Sequence, residues 1–108
     1  MREILKIMLY FKREWKDTRG DQFDNWGICT YYFETQEDGF PIRHVEVYEN
    51  GNVLKYSKDN LEDEFGTLAN NKLYLKQFEP FKIEQNDFME VWFENDKDLI
   101  GIDEEEEE

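Results

Sequence analysis

A chain of 108 residues with 27 acidic and 13 basic side chains, a formal net charge of −14, has room for one domain around a single modest core. Removing the six negative charges of residues 103–108 from −14 leaves −8 on residues 1–102, so the acidity belongs to the body of the domain as well as to its end. That sign repels nucleic acid and anionic lipid, which argues against direct nucleic-acid or membrane binding and favours a basic protein partner.

Aromatic residues make up 17% of the chain and are spread along it, which separates it from disordered acidic sequences. Residues 4–15 read as a strand, with Leu5, Ile7, Leu9, Phe11 and Trp15 on one period-2 face, although Ile4, Met8 and Phe11 also fit a helical period. The same stretch is interrupted by Lys6, is too short to span a bilayer and carries no small-residue cleavage site. The lone cysteine, Cys29, leaves no internal disulfide, so a reducing, cytoplasmic setting is expected. Residues 16–27 are polar, hold two glycines and read as a loop.

Residues 28–36 and 41–49 read as strands joined through Asp38-Gly39, with Pro41 at a first position where a missing donor is tolerated. Asn50-Gly51 predicts a two-residue type I′ turn into a third strand over 52–57. That loop pairs Glu49 with Asn52. Val45, Val47, Leu54 and Tyr56 then form a core face, and Glu46 pairs with Lys55. The opposite face carries His44, Glu46, Tyr48, Val53 and Lys55, joined by Tyr31 and Phe33, and is expected to look outward.

Residues 73–81 read as a short irregular or extended piece. Residues 86–95 read as a helix capped by Asn86, with Phe88, Val91 and Trp92 as its apolar stripe. The expected architecture is α+β: one domain over 1–102, an antiparallel meander of about four strands packed by one C-terminal helix, and a disordered acidic tail over 103–108.

Catalytic equipment is sparse: one serine, Ser57, one histidine, His44, and Cys29, all in the predicted hairpins. Ser57 falls opposite His44 in the predicted register, but no glycine-rich turn offers an oxyanion hole. His44 reads as a sheet-surface residue, and no catalytic group is assigned. Residues 96–107 nearly match a calcium loop through Asp96, Asp98, Gly101 and Glu107, but Ile100 stands where an oxygen ligand belongs, so a solvated tail is the better reading. Arg19-Gly20-Asp21 reads as a turn flanked by opposite charges. No metal or cofactor is expected.

Residues 58–66, KDNLEDEFG, interleave acids with apolar side chains. Leu61 and Phe65 are expected to anchor the segment and Gly66 to turn it, so that Asp59, Glu62, Asp63 and Glu64 stand outward as a pre-organised anionic rim. With the aromatic outer face of Tyr31, Phe33, His44, Glu46 and Tyr48, this rim is the expected partner-binding surface.

The set KREW, RGD, WG, YYFE, DGFPIRHVEVYENGNVLKY and LEDEFG, closed by Phe88, Val91 and Trp92, resembles a family of small bacterial proteins of uncharacterised activity. The shared core runs from Tyr10 to Trp92. Residues 1–9 and the glutamate run depart from it. The family's small acidic members resemble immunity proteins of bacterial toxin systems. The resemblance implies an antitoxin-like inhibitor of a basic toxin or nuclease domain and transfers no residue roles. A nucleic-acid-mimicking inhibitor from a phage or plasmid is the alternative, and a small enzyme using His44 with Glu46 a third reading.

Overall fold

The computed structural model describes the backbone of residues 7–104 and the side-chain surroundings of residues 7–94. Strands β1 (Met8–Trp15), β2 (Cys29–Gln36), β3 (Pro41–Tyr48) and β4 (Val53–Ser57) form one antiparallel sheet in the order β1-β2-β3-β4. With a long C-terminal helix, this makes the protein α+β, as the sequence pattern predicts.

Both β2–β3 and β3–β4 close through the same turn, with different consequences. Gly39 and Gly51 each have φ +96°, and no described residue other than glycine has positive φ. A type I′ turn would need positive φ at Asn50 as well, so it does not form. Instead Gly51 N–H donates to Tyr48 O (2.9 Å) and Tyr48 N–H to Asn52 O (2.9 Å), which closes a three-residue loop with glycine in the left-handed position. Gly39 N–H donates to Gln36 O (2.8 Å) and Gln36 N–H to Phe40 O (2.9 Å) in the same way.

The extra loop residue slips the β3–β4 register by one relative to the expected pairing. His44 pairs with Tyr56, Val45 with Lys55, Glu46 with Leu54 and Val47 with Val53. A one-residue slip exchanges faces. Leu54 and Tyr56 therefore lie with His44, Glu46 and Tyr48, and the expected core face of Val45, Val47, Leu54 and Tyr56 is not formed. Glu46 and Lys55 sit on opposite faces, and Ser57 pairs with Arg43, not His44. In β2–β3 a bulge at Ile42, between the pairs Glu34–Arg43 and Thr35–Pro41, compensates the slip. Tyr31 then faces Glu46 and Phe33 faces His44, as a two-residue loop would have placed them.

Both faces of the sheet are covered, which corrects the expectation of an outward aromatic face. Tyr10 and Val45 on one face pack against Phe88 of α2 (Gln85–Glu104), with Met89, Val91 and Trp92 beside it. The helix begins where Asp87 Oδ2 accepts the Glu84 N–H (3.0 Å), so Asp87 and not Asn86 makes the side-chain contact at its start. It runs through Asp96, Asp98 and Gly101, so these lie on helical turns and not in a loop. Residues 103–104 of the expected tail are helical, and 105–108 lie outside the described residues.

The opposite face is covered by four short pieces: a 3-10 turn at Asp24–Trp26, a ribbon of β5 (Glu62–Asp63) and β6 (Gly66–Thr67), helix α1 (Leu75–Phe78), and a 3-10 turn at Glu79–Phe81. The helical turns over 75–81 replace the expected irregular segment. They insert Phe78 edge-on between Phe11 (5.7 Å) and Phe33 (5.9 Å). Beyond them, Ile83 N–H donates to Tyr10 O (2.9 Å) and shields part of the outer edge of β1.

Gly39 and Gly51 share a φ but not surroundings. A Cβ at Gly51 meets nothing within 4 Å, while one at Gly39 lies 2.7 Å from the Leu73 carbonyl oxygen. Gly51→Ala is therefore expected to cost about 1–2 kcal/mol, the left-handed strain alone. Gly39→Ala is expected to cost clearly more, since it also displaces the segment leading into α1. Urea midpoints of the two variants check this, and equal midpoints would contradict the assignment.

Candidate functional site

The acidic segment after β4 is ordered by one of its own carboxylates. Asp63 Oδ1 accepts the Tyr56 hydroxyl (2.7 Å) and the Phe65 (2.9 Å) and Gly66 (3.1 Å) N–H groups. Asp63 therefore closes the turn of the ribbon while remaining exposed, as expected of a rim residue. Asp59, Glu62 and Glu64 are exposed around it. Phe65 is the apolar anchor, with its ring 5.2 Å from Phe23 and 5.4 Å from Trp26. Leu61, expected to share that role, is 55% exposed.

The other expected contact residues lie inside. Phe33, His44, Glu46 and Tyr48 are all buried, and Tyr31 is half-buried. They cannot form an open docking face, because the ribbon, α1 and the short helical turns pack over that face. A hydrogen-bonded chain runs through them. Ala69 N–H donates to His44 Nδ1 (3.2 Å), so the ring carries its proton on Nε2 and donates it to Glu46 Oε2 (2.8 Å). The Tyr48 hydroxyl donates to Glu46 Oε1, and Arg19 Nη1 donates to Tyr48 Oη (3.3 Å). His44, 1% exposed with both nitrogens engaged, is a core residue.

Arg19, read from the sequence only as part of a charged turn, also belongs to this chain of contacts. Its guanidinium pairs with Asp21 through Nε (3.1 Å) and Nη2 (3.0 Å) and donates to the Phe65 carbonyl (2.6 Å). It also lies 5.0 Å from the Phe23 and 5.4 Å from the Trp26 ring centroid. Asp21 holds Arg19 firmly protonated, and Arg19 in turn holds the Asp21 carboxyl below its usual range. The only available signal was an arginine followed two residues later by aspartate amid aromatics, which predicts a local pair but not its distant partners.

Beside this chain opens a cleft of about 300 Å³ lined by Trp15, Asp17, Arg19, Tyr31, Glu46, Tyr48 and Phe65, among others. Cys29 also lines it, its thiol pushed up to about 12 by burial first and by Glu46 second. Burial first raises both Tyr31 and Tyr48 above the ordinary phenol value; the Glu46 charge adds to it for Tyr31, and the hydrogen bond to Glu46 and then its charge for Tyr48. Among the described residues, no group of three or more His, Cys, Asp or Glu side chains could hold a metal ion. No described helix is long and apolar enough to cross a membrane.

The protein is thus an α+β meander sheet that carries an exposed acidic ribbon. No family model matches the chain, and neither a curated protein nor a solved structure is significantly similar to it. The family resemblance therefore rests on its motifs alone.

Five weak acids, four buried and Tyr31 half-buried, share one sign of shift. Burial is the first cause for Cys29, Tyr10 (up to about 12), Tyr31, Tyr48 and Tyr56, and Asp63 adds to it for Tyr56. Each keeps its proton in the folded chain to a higher pH than in the unfolded chain. The folded state then binds more protons above the ordinary thiol and phenol values of 9.0 and 10.0, so their contribution to stability is complete below those values and is lost as pH rises toward 12. Alkaline unfolding is expected in this window, with phenolate absorbance and loss of near-UV circular dichroism rising together. Phenolate titration near pH 10 in a chain that keeps its near-UV signal would contradict it.

Proposed function

We propose that the protein is a cytoplasmic inhibitor of the immunity or antitoxin kind, which binds a basic toxin domain, in the first instance a nuclease, and covers its active groove. The observation that carries this reading is the rigid display of charge. Asp63 is consumed in closing the ribbon, and Glu62 and Glu64 stand exposed on either side of it with Asp59 and Leu61 nearby. Ordering a flexible side chain on binding costs about 0.5–1.5 kcal/mol, and a closed ribbon reduces that cost.

A nuclease groove is basic because it holds phosphates, and a body charge of −8 on residues 1–102 steers encounter with it. The engagement of both His44 nitrogens with Ala69 and Glu46 supports binding over catalysis through this residue.

The test is Glu62→Lys with Glu64→Lys, keeping Asp63. Both positions are exposed, so stability is expected to shift by no more than about 0.5 kcal/mol. The wild-type chain, used to capture its partner from native cells, is expected to recover a basic enzyme and inhibit it, with an association rate that falls as salt rises. Like-charge contact costs several kcal/mol, so the double variant is expected to bind at least about a hundredfold more weakly. Binding indifferent to both salt and charge reversal would overturn the proposal, and a DNA-binding partner without toxin activity would replace it by nucleic-acid mimicry.

A further inference from the structure

The acidic ribbon leads directly into the aromatic cleft, since Phe65 and Gly66, which follow Glu64, are part of the cleft's lining. At about 300 Å³ the cleft sits at the small end of the roughly 300–1,000 Å³ typical of ligand pockets, so it suits one side chain. Its lining includes the aromatic residues Trp15, Tyr31, Tyr48 and Phe65 and the carboxylates Asp17, Asp21 and Glu46, with Arg13 already 5.3 Å from the Trp15 ring and Arg19 5.8 Å from the Tyr48 ring. Aromatic walls backed by carboxylates attract a cation through ring quadrupole and charge together.

The one guanidinium in the lining, Arg19, is already offset by its bidentate pair with Asp21. Glu46 is 6% exposed and accepts one bond on each oxygen, from His44 and Tyr48, which leaves acceptor capacity on a buried carboxylate. The Tyr31 hydroxyl has no hydrogen-bond partner among the described residues. Trp15, 45% exposed with its ring 6.1 Å from Tyr31, stands at the mouth.

We propose that this cleft receives a single cationic side chain, a lysine ammonium or an arginine guanidinium, presented by the basic partner as it meets the ribbon. The proposal rests on the binding function proposed above and assigns the cleft a role of its own: the ribbon steers, and the cleft fixes register on one basic residue. The cation lies against the Trp15–Tyr31 edge-to-face pair, near Asp17, with the buried Glu46 as its acceptor.

The test needs no partner. The full chain, labelled with ¹⁵N, is titrated with N-acetyl-arginine methylamide and N-acetyl-lysine methylamide, with the neutral isostere N-acetyl-citrulline methylamide as control. The cationic probes are expected to shift the Trp15 indole and the Tyr31 and Phe65 amides saturably, and citrulline is not. Trp15→Ala and Asp17→Asn, both at exposed positions, are each expected to weaken the probes about tenfold, as loss of a partly desolvated cation–π or ionic contact does. Glu62→Lys with Glu64→Lys should leave probe binding within about twofold, because the ribbon acts at longer range. Equal shifts from citrulline, shifts located elsewhere, or unchanged probe affinity in both cleft variants would overturn the proposal. Failure of the inhibitor reading alone would appear differently, as a cleft that takes the probes in a chain that binds no basic partner.

Discussion

A carboxylate buried in the middle of an aromatic sheet face imposes the central constraint on this fold. Glu46 is 6% exposed, and a buried charge without hydrogen bonds costs several kcal/mol. Its two partners come from its own strand, two residues to either side: His44 Nε2 and the Tyr48 hydroxyl. Each partner then makes a demand of its own. His44 needs a donor at Nδ1 and takes the Ala69 N–H, while the Tyr48 oxygen takes Arg19. One charge thus ties both covering segments, residues 16–27 and 58–75, to the sheet. Arg19 binds the two segments to each other by donating to the Phe65 carbonyl.

The other face meets the same difficulty differently. Glu34, 5% exposed, accepts a two-point ion pair from Arg43 and the Tyr10 hydroxyl at 2.8 Å. Arg43 is in turn stacked against Phe88 (5.1 Å) and Trp92 (4.7 Å) of α2. Here the partner is a full opposite charge and the covering element a single amphipathic helix. Around Glu46, neutral donors and several short pieces do the same work, and a cleft opens beside them. Removing either member of the Glu34–Arg43 pair would strand a buried charge, a loss of about 3–5 kcal/mol in such settings.

The acids of the chain divide accordingly into three kinds. Glu34 and Glu46 are buried and hold the layers together. Asp21 and Asp63 are exposed but committed to local closure, Asp21 with Arg19 and Phe23 N–H and Asp63 with its turn. Asp59, Glu62 and Glu64 are exposed on an element that the second group has made rigid. Net charge therefore overstates how much acidity faces a partner, and the ribbon places part of what remains beside an aromatic opening.

Much of this was readable from residues in line. The meander order, the strand face of Leu9, Phe11 and Trp15, the C-terminal helix with Phe88 inward, and the acidic segment as an ordered one all follow from local periodicity and turn chemistry. The apolar character of both faces of β2 and β3, Tyr31 and Phe33 against Tyr32 and Val45, was also a legible sign that the sheet would be covered twice. What linear reading could not settle was pairing. Asn50-Gly51 is compatible with a two- or a three-residue loop, which differ by one register step, and a step exchanges every side chain between faces. The three-residue loop puts Leu54 and Tyr56 beside His44 and Glu46, and the Ile42 bulge cancels the same slip in the neighbouring hairpin. Which face Leu54, Lys55 and Tyr56 joined depended on that choice. The reach of Arg19 across 46 residues to Phe65 depended on it too, because contacts between distant segments exist only once the sheet has decided which face each segment must cover.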